Sequence, residues 1–169
     1  TAGAYTLTAR ATDNEGGVGI SPAVIISVLS TNTNGVVTGE LRKWHKVTIT
    51  WDGPNTSETD VNNPFRNYRL NVTFTHPVSG KSYLVPGYWA ADGNAANTSS
   101  QSGDQWRVNF APDETGTWNY VASFRAGTDV ALDASPTAGA PSDFDGAGGS
   151  FTIGPTDKTG RDHRGKGRL

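Results

Sequence analysis

The chain contains no cysteine, which removes disulfides, thiolate metal ligands and cysteine nucleophiles from consideration together. It also contains no methionine, so without an initiating residue it reads as a processed piece of a longer protein, and its first residues lack the charged and apolar pattern of a signal peptide. Lack of cysteine does not fix a compartment, since disulfide-free proteins occur both inside and outside cells. No apolar run approaches the roughly 20 residues that a membrane-spanning helix needs. Apolar positions with a helical period are missing as well. Positive charge is scarce in the body: residues 1–155 hold nine basic and fourteen acidic side chains, an unsuitable balance for binding a phosphate backbone. Residues 156–169 reverse this, with Lys158, Arg161, Arg164, Lys166 and Arg168 against Asp157 and Asp162, and read as a solvated basic linker.

The chain does have glycine and proline punctuating short runs rich in Val, Ile, Thr, Tyr, Phe and Trp. Tyr5, Leu7, Ala9 and Ala11 alternate, residues 13–17 form a turn, and residues 22–29 give a second strand, together a β-hairpin. Two strands bury too little to stand alone, so the hairpin must pack on the main module or belong to a truncated sandwich. A Ser/Thr/Asn/Gly linker comes next. Val47, Ile49 and Trp51 then share a face in a strand that residues 52–54 are expected to break, and Tyr68, Leu70, Val72 and Phe74 line a second. A hairpin partner is expected over residues 81–89. Trp106, Val108 and Phe110 mark another strand, Trp118, Tyr120, Ala122 and Phe124 the longest one, and a closing strand is expected around residues 151–153 after a long Ala/Gly/Asp/Pro loop. Strict alternation means that each sheet buries one side, and the simplest arrangement is an all-β, antiparallel two-sheet β-sandwich, immunoglobulin-like or jelly-roll, with a short N-terminal β-hairpin.

The stretch from Gly39 to Ile153, above all "DGP…SETD", "VPGYWAADGNAA" and "WRVNFAPDETGTWNY", resembles a family of unknown-function domains found immediately upstream of barrel-type, apiosidase-like glycoside hydrolase domains in bacterial enzymes. Trp51 stands where such domains often carry Phe. "YTLTARATDNEGG" followed by "AVIISV" resembles the last two strands of bacterial immunoglobulin-like repeats, and "DKTGRDHRGKGRL" resembles the lead-in to a catalytic barrel. The resemblance implies a terminal hairpin of an immunoglobulin-like domain over residues 1–30, a linker over 31–38, an accessory module over 39–154 and a linker toward a catalytic domain over 155–169. It further implies a secreted or cell-surface enzyme acting on polysaccharide, with the downstream catalytic domain and a poly- or oligosaccharide as partners, and no catalytic residues in this chain.

Glycoside hydrolysis needs two facing carboxyl groups, and the adjacent Asp113 and Glu114 sit instead in a Pro-Asp-Glu-Thr-Gly turn, where Asp is favoured for local hydrogen bonding. His45, His76 and His163 lack zinc-site spacing. Asp52, Glu58, Asp60 and Asn62 share one polar loop with the oxygen ligands that a structural calcium ion takes; no other cofactor is expected. Glycan recognition uses exposed aromatic faces beside amides, carboxylates and guanidinium groups. Trp51, Trp106 and Trp118 share faces with aliphatic side chains and belong to the core. Trp44 lies outside that alternation. Tyr88 and Trp89 are neighbours pointing opposite ways, so one of them is exposed, and they lead into a turn carrying Asp92, Asn94 and Asn97. Arg69, Arg107 and Arg125 fall on outward faces, where guanidinium groups could take the carboxylates or sulfates of an anionic algal or pectic glycan, or else cover the sheet and pair locally.

Overall fold

The computed structural model describes residues 3–28 and 34–167 and divides into two compact units, residues 1–31 and 32–169. In the first, β1 (Gly3–Leu7) pairs antiparallel with β4 (Val24–Val28), and β2 (Arg10–Thr12) with β3 (Val18–Ile20). The hairpin is therefore two ladders rather than one. Between them the hydroxyl of Ser21 accepts from the Ala9 N–H at 2.9 Å, which replaces a strand hydrogen bond by a side-chain one. The Asp13 carboxylate closes the turn by accepting from the N–H groups of Glu15 and Gly17. Leu29, expected in the second strand, lies outside the described residues.

The second unit is a β-sandwich. One sheet has the order β5 (Val36–Gly39), β6 (Val47–Ser57), β10 (Ser102–Phe110), β9 (Tyr88–Trp89). The other runs β12 (Ala140–Pro141), β11 (Gly116–Ala126), β7 (Tyr68–His76), β8 (Lys81–Pro86), with β13 (Gly148–Ile153) also on β11. Every pairing between these strands is antiparallel. The inward residues are those that alternation selects, and Trp51, Trp106 and Trp118 are all buried. Their rings meet across the interior: Phe74 stacks on Phe110 at 4.2 Å, Trp106 packs on Phe124 at 4.7 Å, and Phe110 meets Trp118 edge-on at 5.0 Å.

Four features depart from the pattern expected of the sequence. β6 does not stop at residues 52–54 but continues to Ser57. The register against β10 slips between Gly103 and Gln105, so residues 53–55 bulge out of β6 opposite Asp104 alone, and Pro54 sits within this bulge where no ladder N–H is required of it. Residues 36–38, read as linker, all belong to an edge strand: Val36 and Thr38 pair with Thr50 and Thr48. The expected strand over residues 81–89 is two strands in different sheets, because the chain crosses at Gly87. There the Gly87 N–H still donates to the Leu70 carbonyl at 2.8 Å, while β9 already pairs with β10. A Cβ on Gly87 would collide with Leu70 and the Arg107 carbonyl, so the crossing requires glycine.

Residues 126–149 are the fourth departure. This loop holds a 3₁₀ turn at Val130–Leu132, β12, and a buried Phe144 stacked on Phe124 at 4.2 Å and on Trp51 at 5.2 Å. Phe144 closes one end of the interior between a ring from each sheet. Residues 155–167 are likewise tied to the body, through Thr156 beside His45 and Lys158 and Arg164 beside Glu40. No helix among the described residues is long and apolar enough to cross a membrane. Phe144→Ala is expected to cost about 3–5 kcal/mol of stability, the range for emptying a buried aromatic site. Denaturant unfolding measures it; an unchanged midpoint would show that the loop does not seal the core.

Candidate functional site

The chain's crossing at Gly87 delivers Tyr88 and Trp89 to the edge of the β5-β6-β10-β9 sheet, where their register partners are Arg107 and Trp106. Alternation then separates them. Trp89 turns inward at 8% exposure with its indole N–H donating to the Gly103 carbonyl, whereas Tyr88 stays outward at 45%. Trp89 is thus a floor residue whose ring face is not available for stacking. Next to Trp89, edge-on at 5.8 Å, sits Phe65, which is 58% exposed although apolar. The loop holding it is fixed by an Asx turn, the Asn63 side chain accepting from the Phe65 N–H at 2.9 Å.

Phe65, Tyr88 and Trp89 line a cavity of roughly 330 Å³ with Glu58, Asn94 and Arg107. The polar groups of Tyr88, Arg107 and Asn94 each have a defined support. The Tyr88 hydroxyl accepts from Asn109 at 3.2 Å, which orients the ring. Arg107 donates from Nε to Thr50 and from Nη1 to the Gly93 carbonyl at 2.7 Å, leaving Nη2 without a hydrogen bond among the described residues. Asn94 presents its side chain at the rim while its Oδ1 accepts from Asn97. Asp92 is engaged locally: its carboxylate accepts from the Thr98 hydroxyl and the Asn94 N–H, and the first of these contributes most to holding its pKa below the ordinary range. Asp92 and Asn97 therefore build the turn and the short helix α1 (Ala95–Thr98) that walls the cavity, and only Asn94 of the three lines it.

The remaining candidates are placed elsewhere. Trp44 lies beside Lys43 and Gly167, its backbone N–H donating to the Pro112 carbonyl, and does not line the cavity. Arg69 and Arg125 face each other across β7 and β11, a repulsive pairing unless their charge is engaged. It is engaged: Arg69 donates to the carbonyls of Val130, Asp133 and Ser135, and Arg125 to those of Thr137, Ala138 and Gly139 and to Asp145. These two guanidinium groups pin the 126–149 loop, so the expectation of three outward arginines for an anionic ligand reduces to Arg107 alone. For calcium, Asp52 is bonded to Gln105, Asp60 to the Asn62 N–H, and the carboxylates of Asp52, Glu58 and Asp60 do not converge. Among the described residues the trio whose ligand atoms do cluster is Glu40, His45 and Asp157. Arg42, Lys158 and Arg164 neutralise it as an ion-pair network.

Phe65 is not marked by the strand pattern because it belongs to no strand. Its signal is an aromatic ring in a polar loop, out of step with any alternation.

Asp113 and Glu114 both face the Lys81 ammonium, at 3.0 and 2.7 Å, and Asp113 also accepts from the Tyr83 hydroxyl at 2.7 Å. Burial pushes the Asp113 pKa up, but Tyr83 and Lys81 together hold it below the ordinary carboxylate range; Glu114 is lowered mainly by its hydrogen bond from Lys81. Such carboxylates contribute stability that is complete above their unfolded pKa of about 4 and is lost as pH falls through the depressed folded value. Thermal unfolding should accordingly show a drop in midpoint below about pH 4 that Lys81→Met makes shallower. Identical acid limbs for the two proteins would contradict this assignment.

The profile of the domain of unknown function DUF5060 matches residues 40–125. A crystal structure from Bacteroides vulgatus ATCC 8482, provisionally described as a glycoside hydrolase, aligns with a TM-score of 0.46 at 21% identity, over 69% of this chain and 16% of that one. A search of curated proteins gives no significant match. With half of its length matched by that profile, spanning β6 to β11 and the residues around the cavity, the chain belongs to the DUF5060 family.

Proposed function

We propose that the β-sandwich is a non-catalytic carbohydrate-binding module of a secreted or cell-surface polysaccharide-degrading enzyme, and that it binds glycan at the Phe65–Tyr88–Arg107 cavity. The observation that carries this reading is a pair of exposed, oriented aromatic side chains beside a guanidinium, a carboxylate and an amide in one shallow depression. Ring faces stack on the C–H surfaces of a pyranose, and the surrounding donors and acceptors read its hydroxyls. Asn109 and the Asx turn hold the two rings in place before any ligand arrives, which lowers the ordering cost of binding. The sequence resemblance to domains preceding glycoside hydrolase barrels supports the enzymatic context, in which a weakly binding module acts by raising the local concentration of polymer.

A second reading, a packing module that supports a catalytic domain, is favoured by a different face. On the outer side of β7, β8 and β11, Leu84, Thr73 and Val121 form one cross-strand row, and Leu84 and Val121 are exposed.

Affinity electrophoresis of the chain in gels containing plant and marine polysaccharides separates the two. Retardation is expected with at least one polymer, and Tyr88→Ala or Phe65→Ala should weaken binding about tenfold or more, or about 1.4 kcal/mol. No retardation by any polymer, or retardation indifferent to both substitutions, would refute the binding site.

A further inference from the structure

The outward residues of the β5-β6-β10-β9 sheet form a row across all four strands. Val36 is opposite Thr50, Thr50 opposite Arg107, and Arg107 opposite Tyr88. Directly opposed residues of an antiparallel sheet project from the same face, and here that face is the one away from the core, since Ile49, Val108, Trp89 and Trp106 all point inward. Two depressions lie along this row, and a third, against strands of the other sheet, adjoins its Tyr88 end. The first, about 440 Å³, lies over Val36, Thr50 and Arg107; the second is the Tyr88 cavity; the third, about 420 Å³, lies beyond it against Tyr68, Asn71 and Pro86. Arg107 borders both the first and the second, and Phe65 and Tyr88 border both the second and the third. The depressions are therefore consecutive.

Adjacent strands are about 4.8 Å apart, close to the length of one pyranose unit in an extended glycan, so a chain laid across the strands meets a new side chain with each sugar. The charges in the lining nearly cancel. Asp52 and Glu58 offset Arg107, and the guanidinium of Arg69 at the far end is occupied by backbone carbonyls. Thr48, Thr50, Gln105 and Asn109 supply hydroxyl and amide groups suited to sugar hydroxyls.

We infer that this face is a multi-subsite groove for the interior of an uncharged, extended polysaccharide, taking about four consecutive sugars, one per strand, with Tyr88 and Phe65 as the stacking subsites. The inference rests on the proposed glycan-binding role of the Tyr88 cavity and adds the ligand's length, charge and mode of engagement.

The test is calorimetric titration of the full chain with β-1,4-linked gluco-, xylo- and manno-oligosaccharides of one to six units, with borohydride-reduced versions, and with oligogalacturonates of the same lengths. In one neutral series affinity should rise at least tenfold between two and four units and then level off, unaffected by reduction of the chain end. Val36→Arg, which places a long side chain at the β5 end of the row on an exposed position outside the Tyr88 cavity, should bring the four-unit affinity down toward that of the two-unit ligand while leaving the latter intact. Binding that is full with one or two units, that disappears on reduction of the chain end, or that is strongest for oligogalacturonate would overturn the inference while sparing the Tyr88 site. Absence of binding for every ligand, polymers included, would overturn both.

Discussion

Ring packing between the two sheets is the constraint on which the rest of the molecule depends. Phe74 on Phe110, Trp106 on Phe124 and Phe144 between Trp51 and Phe124 fill the interior from both sides, and a close-packed interior of large flat groups tolerates little sliding of one sheet over the other. The indole N–H groups of Trp51 and Trp106 are buried without partners among the described residues, a cost of about 1–3 kcal/mol each that the surrounding ring contacts must exceed. By fixing the two sheets, this packing fixes where each outward residue stands, and the outer row from Val36 to Tyr88 is the mirror of the inner row of aromatics.

The loops are held in a way that keeps the sheet surface free at the site and occupied elsewhere. Arg69 and Arg125 direct their donors to backbone carbonyls of the 126–149 loop, so a segment with little apolar content is ordered by charge-assisted hydrogen bonds and by one buried ring, Phe144. Lys81 anchors the turn carrying Asp113 and Glu114 in the same manner, and the Glu40 network anchors the basic residues near the C-terminal end. Most charged side chains that the sequence offers as ligand-binding candidates are thus part of the scaffold. Arg107 differs because it ties down no loop carbonyl cluster: its Nη2 has no hydrogen bond among the described residues, and its side chain lines the depression beside Tyr88.

The strand pattern was legible because period-two alternation is a local property: Val47-Ile49-Trp51, Leu70-Val72-Phe74 and Trp118 through Phe124 each announce an inward face without reference to the rest of the chain. The same reasoning separated Tyr88 from Trp89 and placed Trp51, Trp106 and Trp118 in the core. It failed where a distant partner decides. Pro54 can lie within a strand because β6 itself bulges there, with residues 53–55 opposite Asp104 alone, and residues 81–89 divide between two sheets because Gly87 is small enough to pass between Leu70 and Arg107.

By itself, then, the sequence determined which residues point inward, that the sheets of the sandwich are antiparallel and two in number, and that an exposed aromatic stands near residue 88. Only the tertiary structure decided which of three outward arginines is left for a ligand, that Phe65 from a separate loop stands beside Tyr88, and that the four outward residues from Val36 to Tyr88 line up in one row. Side-chain direction is set within two or three residues of backbone, whereas strand register and hydrogen-bond partners are set by segments tens of residues away, which alternation does not encode.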